Sequence, residues 1–178
     1  YLINNNTIDR VLQELMKKGL KVQSGEEIGK TIIFAMNHLH AEQIVKRFRE
    51  LYPEKGEQYC QLIDNYVKYA GALILDFEEL EKMPQIAVSV DMLDTGVDVP
   101  SVLNLVFFKR VKSKIKFMQM IGRGTRLCPG LFGNKDKKVF YIFDWCNNFE
   151  YFSVHTEGAD PVAVKSLTER LFSLRLDI

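Results

Sequence analysis

The sequence predicts an open α/β sandwich: a mostly parallel sheet with helices on both faces. Short apolar runs alternate with amphipathic helical patterns along most of the chain, the mark of strands joined by crossover helices. Most of those runs (TIIFAM, IAVSVDM, NLVFF, VFYIFDW) are apolar throughout, as strands covered on both faces must be. Composition agrees, since 178 residues with 47% apolar and 26% charged side chains can build the core of one domain with appendages.

Thr7–Lys18 reads as a helix, with Thr7 as cap, Ile8, Val11, Leu12 and Leu15 at helical spacing, and Gly19 placed to end it. The sequence shows no partner for this helix. A polar connector, Ser24–Lys30, leads into a strand at Thr31–Met36. Ala41–Leu51 is amphipathic, with Ile44, Val45, Phe48 and Leu51 opposite Lys46, Arg47 and Glu50, and Pro53 stops it. Tyr59–Ile63 is a weaker strand and Ala70–Leu80 a helix. Strands follow at Ile86–Met92 and Asn104–Phe108, then a helix at Ser113–Ile121 capped by Ser113, and a last strand at Val139–Trp145. Beyond Phe152, VHTEGADP reads as a linker and Val162–Leu176 as one more unpartnered helix. Both ends look like cuts through a longer polypeptide. The division expected is 1–28 (helix and connector), 29–152 (the sandwich) and 153–178 (linker and start of a helical region).

A net charge of +1 excludes a uniformly cationic nucleic-acid binder but leaves room for local basic surfaces. No apolar run approaches the ~18 residues of a membrane span. Cys60, Cys128 and Cys146 are an odd, widely spaced set without CxxC, which points to reduced thiols in a cytoplasmic protein. His38 and His40 have no second cluster to complete a metal site, so they read as loop histidines and no metal site is expected. GEEIGKT (Gly25–Thr31) imitates a phosphate-binding P-loop. It has three residues between its glycines where four are needed, and it opens a strand instead of a helix, so it is a connector. Asp144 is read as a strand-end residue.

Ligands of open parallel sheets bind beyond the carboxyl ends of the strands, and two segments there carry chemistry. In DTGVDVP (Asp94–Pro100), Gly96 allows close backbone approach and Asp98 can accept from a ribose hydroxyl; a turn capped by an Asp explains the same residues. In QMIGRGTR (Gln119–Arg126), Gln119, Arg123 and Arg126 share one helical face if the helix runs that far, and Gly122 and Gly124 clear the space between them. Paired guanidinium groups suit a triphosphate; the alternative is an exposed basic turn. Lys109–Arg126 holds seven basic residues and no acidic one, a patch able to track a phosphate backbone or simply a solvated surface.

Taken in order, the strand ending at Asn37, DTGVDVP and QMIGRGTR resemble motifs IV, V and VI of the second RecA-like domain of superfamily 2 helicases and translocases. Gln119, Gly122, Arg123 and Arg126 match QxxGRxxR. Closer still, KTIIFAMNHLHAEQIVKRF, PQIAVSVDMLDTGVDVP and KFMQMIGRGTRLCPGLFG, within Gly29–Phe152, resemble the motor (R) subunit of type I restriction enzymes. Met120 and Thr125 depart from the DEAH pattern, and Val90 stands where DEAD-box proteins have threonine. The resemblance implies a RecA-like fold and an ATP- and Mg²⁺-dependent translocase of double-stranded DNA. Arg123 and Arg126 would be its catalytic fingers, with Gln119, Gly96, Asp98 and Gly122 at the nucleotide. Asn37, His38, Val90, Asp91 and Thr95 would lie near the DNA backbone. The upstream RecA-like domain would hold most of the ATP and Mg²⁺ site, and that domain, an upstream nuclease domain and the modification and specificity subunits are the implied partners. The chain alone is then expected to lack ATPase activity. The alternatives are another superfamily 2 helicase, of repair or type III restriction, and a non-catalytic RecA-like module binding DNA or protein.

Overall fold

The structure, a computed structural model, describes residues 4–22, 25–94 and 97–154. In chain order its elements are α1 (Asn5–Lys18), β1 (Lys21–Val22), β2 (Glu27–Ile28), β3 (Lys30–Ala35), α2 (His38–Leu51), β4 (Cys60–Ile63), α3 (Ala70–Glu78), β5 (Ile86–Ser89), β6 (Val102–Phe108), α4 (Lys114–Ile121), β7 (Tyr141–Asp144) and α5 (Asn148–Val154). Strands β3 to β7 form one parallel sheet in the order β4-β5-β3-β6-β7, with β3 at its centre, while β1 and β2 pair antiparallel beside it.

The unbroken apolar runs are explained by the two faces of this sheet. Along β3, Ile33 and Ala35 enter one core with Ile8, Leu12, Ile44 and Phe48 of α1 and α2. Ile32 and Phe34 enter the other with Phe77 of α3, Phe117 and Met120 of α4, and Phe152 of α5. Every residue of β3 is buried, and only a strand sandwiched on both sides has this pattern.

Three boundaries move for local reasons. Asn4, not Thr7, caps α1: its Oδ1 accepts from the amide of Asn6 at 3.0 Å, and the helix starts two residues earlier. Asn37 caps α2 in the same way, accepting from His40 N at 2.9 Å, so that helix starts at His38 instead of Ala41. Strand β5 ends at Ser89 because the chain turns there; Ser89 Oγ accepts from Leu93 N, and Asp91 has φ 65°. Ser113 caps α4 as the sequence indicates.

Helix α1, unpartnered in the sequence reading, lies on α2. Arg47 forks Asp9 (Nε to Oδ1 2.8 Å, Nη2 to Oδ2 2.6 Å) across that contact. Buried Asn104 on β6 ties the following segment to the sheet, accepting from Leu20 N at 2.7 Å and donating to Leu20 O at 3.1 Å and Thr31 Oγ1 at 3.2 Å. Gly29, the second glycine of the P-loop imitation, sits where any Cβ would collide with Leu103. It serves packing, not phosphate. Asp144 ends β7 and accepts from Phe149 N at 2.9 Å and Asn148 Nδ2 at 2.9 Å, which anchors α5. The linker and final helix expected over 155–178 lie outside the described residues.

Candidate functional site

Strands β5 and β6 are parallel, so the connection 90–101 must return from the carboxyl end of the sheet to its amino end. Helix α4 makes the same return between β6 and β7. The two candidate segments therefore share a direction on return legs, and the residues of interest do not all stand at the carboxyl edge.

Cationic side chains fasten leg 90–101 along its length. Lys109 Nζ lies 3.0 Å from Asp91 Oδ1 and 2.9 Å from Asp94 Oδ2; Lys116 Nζ lies 2.8 and 3.0 Å from the same oxygens. Arg123 Nη1 donates to the Val97 carbonyl, and its Nε is buried with no acceptor. Arg126 forks Asp98, with Nη2 3.0 Å from Oδ2 and Nε 2.9 Å from Oδ1. Buried Lys137 donates to the Pro100 carbonyl at 2.9 Å. Lys116 and then Lys109 hold the Asp91 carboxyl well below the usual carboxylate range, and Asp91 in turn raises Lys116. Burial pushes Lys137 down to about 8.

Arg123 and Arg126 thus contact Val97 and Asp98. The structure corrects the helical-face reading of QMIGRGTR: α4 ends at Ile121, Gly122 N donates to Met118 O at 2.9 Å, and 122–124 form a turn, so the arginines lie past the helix. Gln119 is exposed on the last turn of α4. Gly124 is needed where a Cβ would overlap the Phe140 ring. Gly96 and Thr95 lie outside the described residues. Among the described residues nothing engages Arg123 Nη2 or Arg126 Nη1, and such donors suit phosphate oxygens.

At the carboxyl edge, Asn37 and His38 follow β3, and Val90 and Asp91 follow its neighbour β5. Each already has a structural task. Asn37 Oδ1 caps α2. His38 lies between Asp64 (Nδ1 to Oδ2 2.5 Å) and Glu42 (Nε2 to Oε1 3.2 Å), and Asp64 foremost raises its pKa. Val90 is half-buried against the α1–α2 core. Asp91 holds two lysines. His40 is no loop histidine: it is buried on α2 with its ring edge-on to Phe108, and burial lowers its pKa to about 4.

The basic patch is also redistributed. Four of its seven cations are consumed by the return leg, leaving Arg110, Lys112 and Lys114 exposed at the β6 end. Sequence reasoning missed the grips made by Lys109, Lys116 and Lys137. A lysine directly after an apolar strand (FFK) was the signal for Lys109, and its carboxylate partners lie in DMLD upstream.

A groove of about 480 Å³ between α2 and β4 is lined by none of the candidate residues. Among the described residues no group of three or more His, Cys, Asp or Glu is placed to hold a metal ion, and no helix is long and apolar enough to cross a membrane.

No family model matches the chain. The EcoKI type I restriction enzyme endonuclease subunit of Escherichia coli K12 is 38% identical over 149 residues, 79% of this chain and 12% of that subunit. A fragment structure assigned to the HsdR subunit of a type I restriction enzyme from Vibrio vulnificus YJ016 matches 80% of this chain and 27% of its own, with TM-score 0.65 and 27% identity. Domain 2 of the DEAD-box helicase Mss116p, solved on an RNA duplex, matches 84% of this chain and 54% of its own with TM-score 0.58 and 16% identity, a likeness of fold.

Proposed function

We infer the function from one premise: the chain belongs with the superfamily 2 helicase-like part of type I restriction endonuclease subunits. It acts as the second motor domain of an ATP-dependent translocase of double-stranded DNA. In this reading residues 29–152 are the RecA-like unit, 1–28 its leading helix and connector, and 153–178 a linker into a helical region. The chain spans 12% of the EcoKI subunit; in this reading the whole protein is the R subunit of a type I restriction enzyme, with upstream RecA-like and nuclease domains and with modification and specificity subunits as partners.

The observation that carries this reading is the fastening of Arg123 and Arg126 to the leg that holds Val97 and Asp98. Arg123 and Arg126 are poised to exchange those contacts for phosphate oxygens when the upstream domain closes over them, neutralising the charge that builds as the bond breaks. ATP, held chiefly upstream with Mg²⁺, supplies the phosphoryl group. Gln119 and Gly122 line that approach, Gly96 is assigned to the nucleotide by the family resemblance alone, and Asp98, released by Arg126, accepts from the ribose. Asn37, His38, Val90 and Asp91 stand near the DNA backbone at the carboxyl edge, beside the exposed cations Arg110, Lys112 and Lys114, and Thr95 is assigned to the DNA by the family resemblance alone.

The test is DNA-stimulated ATP turnover by the complete polypeptide, with nucleotide binding measured alongside. Arg123→Ala is expected to lower turnover by about 10³-fold or more while binding persists. Unchanged turnover overturns the reading in favour of a non-catalytic RecA-like module. The 178-residue chain alone is expected to hydrolyse no ATP, and hydrolysis above background by the purified chain is equally fatal.

A further inference from the structure

The leg 90–101 and helix α4 are fastened to each other at both ends. Where they start, Lys116 Nζ holds Asp91 and Asp94. Where they finish, Arg123 and Arg126 hold Val97 and Asp98. Between Lys116 and the arginines lies most of an eight-residue helix, about 12 Å long. Its buried face, Phe117, Met120 and Ile121, is packed in the core, so it moves as a strut and not as a flexible tether.

Two lysines share the carboxylates, and they are not equivalent. Lys109 is buried at the end of β6, where the sheet sets its position. Lys116 is partly exposed on α4 and has no such support, yet its ammonium reaches both the exposed Asp91 and the buried Asp94. Asp91 itself sits at φ 65°, a left-handed conformation that Asp tolerates better than most residues, with both lysines on its carboxylate.

We propose that Lys116 is a positioning residue which, by gripping Asp91 and Asp94, ties the carboxyl-edge start of the leg to the helix whose far end presents Arg123 and Arg126. A shift of Asp91 on engaging DNA is then carried along α4 to the arginines. This rests on the motor reading above, in which Asp91 lies beside DNA and the arginines reach the nucleotide.

The test follows ATP turnover of the complete polypeptide against duplex DNA concentration. Lys116→Gln is expected to raise the DNA concentration for half-maximal stimulation about tenfold, within the usual range of coupling between two sites, with the ATP KM held within about twofold. Lys116→Arg should restore it, since a guanidinium can bridge the two carboxylates. In an Asp91→Asn background Lys116→Gln should cost clearly less than in the wild type, because one of the two contacts of Lys116 is already weakened and only its grip on Asp94 remains to be lost. Additive effects overturn the proposal. So does an unchanged DNA requirement while Arg123→Ala still abolishes turnover, and in that case the motor reading survives. If Arg123→Ala leaves turnover intact, the motor reading falls and takes this proposal with it. A parallel rise in ATP KM with a lowered thermal midpoint would mark Lys116 as a purely structural tether and overturn its positioning role.

Discussion

Arg126 and Asp98 meet in a two-point fork, Nη2 to Oδ2 at 3.0 Å and Nε to Oδ1 at 2.9 Å, although 28 residues separate them in sequence. Both side chains are more than half exposed, at 59% and 56%. An exposed ion pair of this kind contributes about 0–1 kcal/mol, little enough for a phosphate to displace the carboxylate. At that strength the fork is a weak tie and not a brace.

Asp98→Asn should accordingly change the unfolding free energy by less than about 1 kcal/mol, and less still in high salt. Denaturant titration of wild type and variant at two salt concentrations checks this. A loss of several kcal/mol would make the fork structural.

Gly124 and Gly122 should behave differently when a methyl is added. At Gly124 the new Cβ overlaps the Phe140 ring, and overpacking of that kind costs about 1–3 kcal/mol. At Gly122 the nearest neighbour is the Gln119 carbonyl at 3.1 Å, a tight contact relieved by a small shift. Gly124→Ala should therefore be the more destabilising of the two in matched denaturation curves. Equal losses would mean that the ring moves aside.

The two histidines of NHLH should respond to pH with opposite signs. Burial lowers His40 to about 4 from 6.5, so between those values the unfolded chain takes a proton that the folded chain refuses. Stability then falls as pH drops through that window, by on the order of 3 kcal/mol in all. His38 is raised by Asp64, so its stabilisation is fully present below 6.5 and is lost as pH climbs through the folded value. Unfolding free energies from pH 4 to 8 check both signs. Relative to wild type, His40→Phe should gain stability toward pH 4 and His38→Ala should lose it.

The sheet was legible because burial on both faces leaves one kind of trace, a run such as TIIF with no polar interruption. The matched segments were legible because Gln119, Gly122, Arg123 and Arg126 keep a fixed spacing whatever their local backbone. Local rules were less decisive where two candidates competed: Asn4 and Thr7 can each cap a helix, and the cap is made by Asn4. Whether Lys109, Lys116, Arg123 and Arg126 faced solvent or protein was not legible. Charge partners are set by topology, and Asp91 and Asp94 come to the lysines only once β5 and β6 lie on either side of β3. The same blindness left α1 without a partner and made His40 look like a loop residue.

The central strand of the sheet is the first of its five to be made. Thr31 of β3 pairs with Ile86 on one side and with Asn104 on the other, so a growing chain must reach β6 before β3 has both neighbours. Until then, a strand whose side chains are mostly apolar carries unpaired backbone groups along one or both edges. Loop closure over such distances slows folding, and an uncovered apolar edge invites pairing with another chain. Synthesis of this domain therefore has a vulnerable interval that ends only when Phe108 is in place, and α1 and α2, ready early on one face, are what can shelter β3 in the meantime.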